Sequence, residues 1–412
     1  VARGLVAVVE GLPHPDRLGS LPREEVRDTS HQLLGDVLRQ ASIPTPIGRV
    51  ARRGAPQPPA ADDGDSPARR GRLGCAATGP AARREQRGID QVLEQALEPV
   101  QADLSLVGER LLAQVIDPVV RKVVYLITAG GKRLRPALVL LAGASGPSAD
   151  REALLDTATA VELIHTATLI HDDIIDQSPL RRSQPTFHHR WGTERAVLMG
   201  DYLYATAFTL LARLEEPGVV RVMADVCRQL CRGELREVEA RYRLDLTEEE
   251  YLGVIGDKTA SLIAGCCRSG AVLGGCAPET VEQLAAFGTS FGLAFQIIDD
   301  CLDLTGDQRE LGKSIHADLD KGALSLPIIY LTQLLPVEQR RRLFAPLRTR
   351  ATDPAFLARV AKAAVASGAV AKAQARAQAV LDTALEALAD VPMNGLTRAY
   401  RQLAEYAVSR RA

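Results

Sequence analysis

An all-α fold is what this sequence predicts from residue 89 onward, on three observations. Apolar residues recur there at spacings of three and four, the period of an amphipathic helix. The Ala/Leu-rich segments are long and are separated by short punctuation at Gly130-Gly131, Pro179, Pro217-Gly218 and Pro278. No run alternates apolar and polar residues convincingly enough for a sheet. With 46% hydrophobic and 25% charged residues, the 412-residue chain has the composition of a packed soluble protein. Fifty Lys and Arg stand against 51 Asp and Glu, a net charge of -1. That balance removes any general electrostatic case for nucleic acid or an acidic membrane surface, so an anion site must be local.

Taken in chain order, residues 1–88 stand apart. They hold ten of the 23 Pro, none of the 16 aromatic residues and no Lys. Such a segment cannot bury enough apolar surface to order itself, and we expect a disordered extension over 1–88 and one helical domain over 89–412. Within the extension, Thr29 to Gln40 has the helical spacing of a transient helix. The domain opens with Val92, Leu93, Leu97, Val100, Leu104, Val107 and Leu111, an amphipathic run. Five of the seven Cys (Cys227, Cys231, Cys266, Cys267 and Cys276) lie in apolar helical stretches without paired CxxC spacing. They read as reduced packing residues of a cytoplasmic protein. No uninterrupted apolar run reaches about 18 residues, so no transmembrane segment is expected, and the opening VARGLVAVVEGLPHP lacks the cleavage site of a signal peptide.

The chemistry is concentrated in carboxylates. Asp172, Asp173 and Asp176 fall at i, i+1 and i+4 of an otherwise apolar helix, which sets Asp172 and Asp176 on one face. Like charges on adjacent turns repel unless a cation compensates them. The spacing recurs at Asp299, Asp300 and Asp303. Oxygen-only ligands favour hard cations, and Mg2+ takes one or two carboxylates completed by water and phosphate oxygens. Cations alternate with these clusters: Lys132, Arg133 and Arg135 around a Gly pair and a helix-starting Pro136, then Arg181-Arg182, Lys258-Thr259 and Lys313. A helix N-terminus flanked by Lys and Arg is an anion site.

In these motifs the chain resembles the trans-isoprenyl diphosphate synthases, or polyprenyl synthetases. The marks, over about residues 89–412, are GGKRLRP at 130–136, ELIHTATLIHDDIID at 162–176, LRRSQPT at 180–186, GDYL at 200–203, DKT at 257–259, FQIIDDCLD at 295–303 and GKSIHADLDKG at 312–322. The resemblance implies an isoprenoid synthase-type helical bundle around a deep central cavity, usually a homodimer. It implies that Lys132, Arg135, His165 and Arg182 hold isopentenyl diphosphate. Asp172, Asp176 and Asp299 would bind magnesium, supported by Asp173, Asp300 and Asp303, and Arg181, Lys258, Thr259, Gln296 and Lys313 would hold an allylic diphosphate. Two positions depart from the family: Ser183 where Gly is frequent, and Ala323 where Lys is frequent. The second removes a diphosphate contact for which Lys321 is the nearby substitute.

Magnesium and the cations would stabilise charge on a departing diphosphate, and by resemblance the isopentenyl double bond then attacks the allylic cation head to tail. No side-chain nucleophile is needed, and His171 reads as a packing histidine. A terpene cyclase fits less well, because its second metal motif normally mixes Asn or Asp with Ser and Glu. A di-iron bundle, suggested by Glu162 and His165, would need a second ExxH that the chain lacks. A shorter-chain synthase and a non-catalytic partner subunit remain as alternatives. Thr168 lies four residues before Asp172 on the same face, about 6 Å deeper, and the resemblance adds Ala167 as the neighbouring gate. Both are small, so a medium- or long-chain all-trans product of roughly six to ten isoprene units is expected, with quinone side chains as the preferred use.

Overall fold

The computed structural model describes residues 80–128, 131–182, 184–306, 317–350, 352–388, 391 and 395–410. All lie in the second of two units into which the chain divides, Ala77–Ala412. The readings made for residues 1–79, Gly130, Ser183 and Lys313 fall outside the described residues.

Helix α1 spans Pro80–Leu97, nine residues ahead of the expected boundary at 89. Ala81, Ala82, Arg83, Arg84, Glu85, Gln86 and Arg87 are strong helix formers behind a Pro suited to a first turn, a local signal that the composition of 1–88 as a whole conceals. There follow α2 (Gln101–Ala113), α3 (Leu134–Ala144), α4 (Arg151–Ile175), α5 (Thr193–Leu211), α6 (Pro217–Ala240), α7 (Glu248–Ile255) and α8 (Ser261–Leu273). The chain continues through α9 (Pro278–Thr305), α10 (Leu326–Leu334), α11 (Pro354–Ala366), α12 (Ala369–Ala387) and α13 (Thr397–Ser409). Their starts are written in the sequence. The Asp150 carboxylate accepts from the N–H groups of Glu152 and Ala153 ahead of α4, and Thr247 with Glu250 forms a capping box at α7.

Helices α3, α4, α8 and α9 form the centre: α8 packs on α3 and α9, and α4 on α3 and α5. Outside them α12 lies on α9, and α13 returns to pack on α1. Among the described residues α4 and α9 are long and apolar enough to cross a membrane by length and composition. Both sit within the bundle, with 78% and 56% of their apolar windows buried inside the protein. The test used for the expectation, an uninterrupted apolar run, passes over them because each carries polar residues at its buried positions, such as Thr157, Thr159 and Asp300.

Three local departures from plain helix position the site. A two-residue antiparallel ribbon pairs Leu180 with Pro185 and Arg181 with Gln184, and Arg182 takes a left-handed φ of 50° at its turn. Its strands are too short to leave a period-two signal. Between α7 and α8 the chain makes a π-helical turn over Gly256–Ala260. At Gly233 on α6 a Cβ would lie 2.5 Å from the Lys258 backbone nitrogen, so only glycine lets α6 close on that turn.

Candidate active site

The first aspartate cluster ends α4, and its three carboxylates live in different surroundings. Asp173 is buried and accepts from Arg181 Nε at 2.9 Å, an approach made possible by the ribbon that folds Arg181 back along the helix. Its other oxygen is buried without a partner, and burial raises its pKa against the pull of Arg181. Asp176 is held by two cations, Arg241 Nη2 at 2.9 Å and Lys321 Nζ at 3.0 Å. Among the described residues Asp172 has no such partner within ion-pair distance. Burial pushes its pKa up to about 7, with Lys258 pulling it down and Glu234 adding to the push.

The second cluster ends α9. Asp300 is buried and accepts from Tyr251 Oη at 2.7 Å and Gln296 Nε2 at 2.8 Å. Burial, with Asp318 nearby, raises its pKa well above the carboxylate range. Gln296 in turn accepts from the Thr259 hydroxyl at 3.0 Å, so the π-helical turn, α9 and α7 are tied by one chain of hydrogen bonds. Asp299 meets Arg410 Nη1 at 3.2 Å, and Asp303 is buried. Lys258 lies between Glu234, at 2.7 Å, and Glu237. Burial works against its charge, but Glu237, Asp172 and Glu234 raise its pKa above the ordinary value.

A cavity of about 160 Å3 is lined by Asp176, Glu237, Asp299, Asp300, Lys258, Thr259 and Gln296 among others. Arg241, Tyr251, Lys321 and Ala323 also line it. Among the described residues no three His, Cys, Asp or Glu side chains are drawn into a closed metal cage. What is present instead is oxygen donors in ones and twos at the ends of α4 and α9, and an Asp172 carboxylate whose charged form is disfavoured by burial. That donor set fits a hard divalent cation completed by water and phosphate oxygens.

Below the first cluster lies a second polar group. Arg135 Nη1 is 3.1 Å from His165 Nε2. Burial, followed by the charges of Arg135, Arg181, Arg182 and Arg133, holds the His165 pKa well below its ordinary value. The imidazole is therefore neutral among four guanidinium groups. Arg133 is engaged by Glu162 and donates to the Ile127 carbonyl at 2.5 Å. Arg182 reaches Gly131, where a Cβ would lie 3.4 Å from its Nη1, and Lys132 sits 4.8 Å above the Tyr406 ring. Around His165 the arginines outnumber the carboxylates that pair with them, Glu162 and Asp173.

Of the residues singled out in the sequence, the structure gathers Asp176, Asp299, Asp300, Lys258, Thr259 and Gln296 around the cavity, leaves Asp172, Asp173 and Asp303 outside its lining, and brings Arg135 and Arg182 to His165. Lys313 lies outside the described residues. Ala167 is fully buried and Thr168 half-buried, its hydroxyl donating to the His165 carbonyl at 2.7 Å; neither lines the cavity between the clusters. His171 packs: Nε2 is 3.2 Å from the Val197 carbonyl, its ring stacks on Tyr204, and Gly200 leaves room for it. Sequence reasoning did not find Glu234, Glu237, Arg241, Tyr251 or Arg410. The only signal for the first three was their i, i+3, i+7 spacing at and just past the end of α6; of them Glu237 and Arg241 line the cavity.

The profile of the polyprenyl synthetase family matches residues 117–364. Heptaprenyl diphosphate synthase component 2 of Geobacillus stearothermophilus is 38% identical over 298 residues, covering 72% of this chain and 92% of that relative. Nonaprenyl diphosphate synthase of Mycobacterium tuberculosis is 36% identical over 327 residues, 78% of this chain and 95% of that one. Among solved structures, a polyprenyl synthase from Caulobacter crescentus, complexed with calcium and isoprenyl diphosphate, superposes with a TM-score of 0.74 at 33% identity, covering 78% of this chain and 98% of that one. With the extent of these matches and the paired aspartate clusters on one cavity, the chain belongs to the polyprenyl synthetase family.

Proposed function

We propose that this chain is a magnesium-dependent prenyltransferase that condenses isopentenyl diphosphate head to tail with an allylic diphosphate, building a medium- or long-chain all-trans polyprenyl diphosphate. The observation that carries the reading is the meeting of Asp176 from α4 and Asp299 from α9 on one cavity with Lys258 and Lys321. Asp172, Asp176 and Asp299 hold the metal. Asp173, Asp300 and Asp303 support them, each buried. Magnesium, when bound, offsets the negative charge that builds on the leaving diphosphate. Arg181, Lys258, Thr259, Gln296 and Lys313 hold the allylic diphosphate, and Lys132, Arg135, His165 and Arg182 hold isopentenyl diphosphate. The allylic C–O bond breaks with its electron pair going to diphosphate, the isopentenyl double bond supplies the pair for the new C–C bond, and a proton passes to the released diphosphate. His165, neutral among arginines, orients and donates to a phosphate oxygen without taking that proton.

The heptaprenyl and nonaprenyl names of the relatives support the longer product. The exposed apolar side chains Val197, Leu198 and Tyr202 on α5 and Leu235 and Val238 on α6 support a homodimer through that face. The six cysteines among the described residues are free, which suits a reducing cytoplasm. Catalysis is assigned to the helical domain and not to the residues before Pro80. Incubating the pure chain with magnesium, labelled isopentenyl diphosphate and allylic starters of increasing length, followed by product sizing, tests this. Absence of elongation from every starter by the single chain would refute it and would favour a component that works only with a partner.

A further inference from the structure

The turn after the short helix Ala317–Asp320 reads Lys321-Gly322-Ala323 and is fastened to the end of α6. The Tyr242 N–H donates to the Gly322 carbonyl at 2.7 Å. Gly322 has a φ of +79°, and a Cβ there would lie 2.5 Å from the Tyr242 ring. The joint therefore needs glycine, and it makes neighbours of Arg241 and Lys321, far apart in the chain. The two converge on one carboxylate. Arg241 Nη2 is 2.9 Å from Asp176 Oδ1, Lys321 Nζ is 3.0 Å from Asp176 Oδ2, and the Ser178 hydroxyl is 3.1 Å from the same Nζ.

Two cations meet one carboxylate, and both line the cavity. Arg241 Nε is buried with no acceptor, a donor that ordinarily has a partner. The contrast with Lys258 is direct, since that cation lies between two glutamates. Arg241 and Lys321 instead share the single carboxylate of Asp176. Ala323 lines the same cavity and offers no charge of its own.

We propose that Arg241 and Lys321 form a clamp for the diphosphate of the allylic substrate, and that Lys321 fills from its own position the cationic role that Ala323 leaves open. The proposal rests on the prenyl-transfer reading above. Asp176 keeps both side chains extended into the cavity. Once a divalent cation takes that carboxylate, the two cations turn to the phosphate oxygens beside it.

The test is calorimetric titration of the full chain with inorganic diphosphate in the presence of magnesium, alongside steady-state kinetics and melting curves. Lys321→Gln keeps the shape and the Ser178 contact while removing the charge. It is expected to weaken diphosphate binding about tenfold, the scale of one charge-assisted hydrogen bond. The KM for the allylic substrate should rise by a similar factor while the KM for isopentenyl diphosphate and the melting temperature hold. Adding Ala323→Lys to that variant should restore most of the affinity. Unchanged diphosphate affinity in Lys321→Gln overturns the clamp, as does a loss that Ala323→Lys does not repair. Lys321-dependent diphosphate binding by a wild-type chain that makes no prenyl product would leave the clamp standing and remove the prenyl-transfer reading. Product formation indifferent to Lys321 would do the reverse.

Discussion

At the end of α4, the carboxylates of Asp173 and Asp176 are met by cations from three separate segments: Arg181 from the ribbon, Arg241 from the end of α6 and Lys321 from the turn beyond α9. At the end of α9, Asp300 is met by neutral donors, Tyr251 and Gln296, and Asp299 by Arg410. One turn below, the contrast continues. Ala167 and Thr168 precede the first cluster, whereas Phe295 precedes the second at the position equivalent to Thr168 and stacks on Phe291. Equal spacing in sequence thus serves unequal duties. The α4 end is the charged wall, with the smaller and so more open side chains one turn below; the α9 end, backed by stacked rings, is the more rigid wall.

The comparison is sharpened first where the two walls should behave alike. Asp172→Ala and Asp299→Ala should each lower turnover about a thousandfold, a loss of about 4 kcal/mol in the transition state, with the helical circular dichroism unchanged; near-normal turnover by either, with magnesium present, would break the metal assignment. On the open wall, Ala167→Phe should shorten the product to about three or four isoprene units, since one helical turn is about 5 Å and close to one unit. A stable, active variant with an unchanged product ladder would show that the chain does not pass there. On the rigid wall, Tyr251→Phe leaves Asp300 short of one donor, which should cost about 1 to 2 kcal/mol, read as a melting temperature a few degrees lower and turnover down about tenfold. The same change with no effect would mean that Asp300 is held by Gln296 alone.

A smaller effect belongs to His165. Burial and the four arginines keep it neutral in the fold, while the unfolded chain takes up a proton near pH 6.5. Below that pH the unfolded state binds more protons, so stability is full above about 6.5 and falls as pH drops toward the folded value, by at most about 1.4 kcal/mol per unit. Melting curves between pH 5 and 7.5 should show a slope that His165→Gln reduces; equal slopes would place the imidazole outside the charged pocket. The smallest effect expected is from removing residues 1–79, which should leave turnover and melting temperature nearly unchanged.

How much was legible follows from how far each signal travels along the chain. The helices and the two aspartate clusters are local, set by spacings of three and four, and were readable as such. The partners of those aspartates are not local: Arg241 is 65 residues from Asp176, Lys321 is 145, and Tyr251 is 49 from Asp300. Lys321 was noticed beside Ala323, but its direction depends on the backbone bond between Tyr242 and Gly322, which no periodicity announces. The ribbon at Leu180–Arg181 is likewise fixed by a single left-handed Arg182. Glu234 and Glu237 look in sequence like ordinary helix charges; their half-buried lysine partner, Lys258, comes from the turn against which Gly233 closes.

The π-helical turn at Gly256–Ala260 carries a consequence for inheritance. Such a turn houses one residue more than an α-helical one, and each α-helical residue advances the helix surface by about 100°. Excising a single residue between Asp257 and Ser261 would let α7 and α8 fuse into one regular rod and swing Lys258 or Thr259 off the cavity by that angle. Amino-acid replacements in this stretch keep the phase; a codon gained or lost does not. The segment should therefore tolerate drift in identity far better than drift in length, and a gap there in any descendant of this gene would mark a chain in which Lys258 and Thr259 no longer both face the cavity.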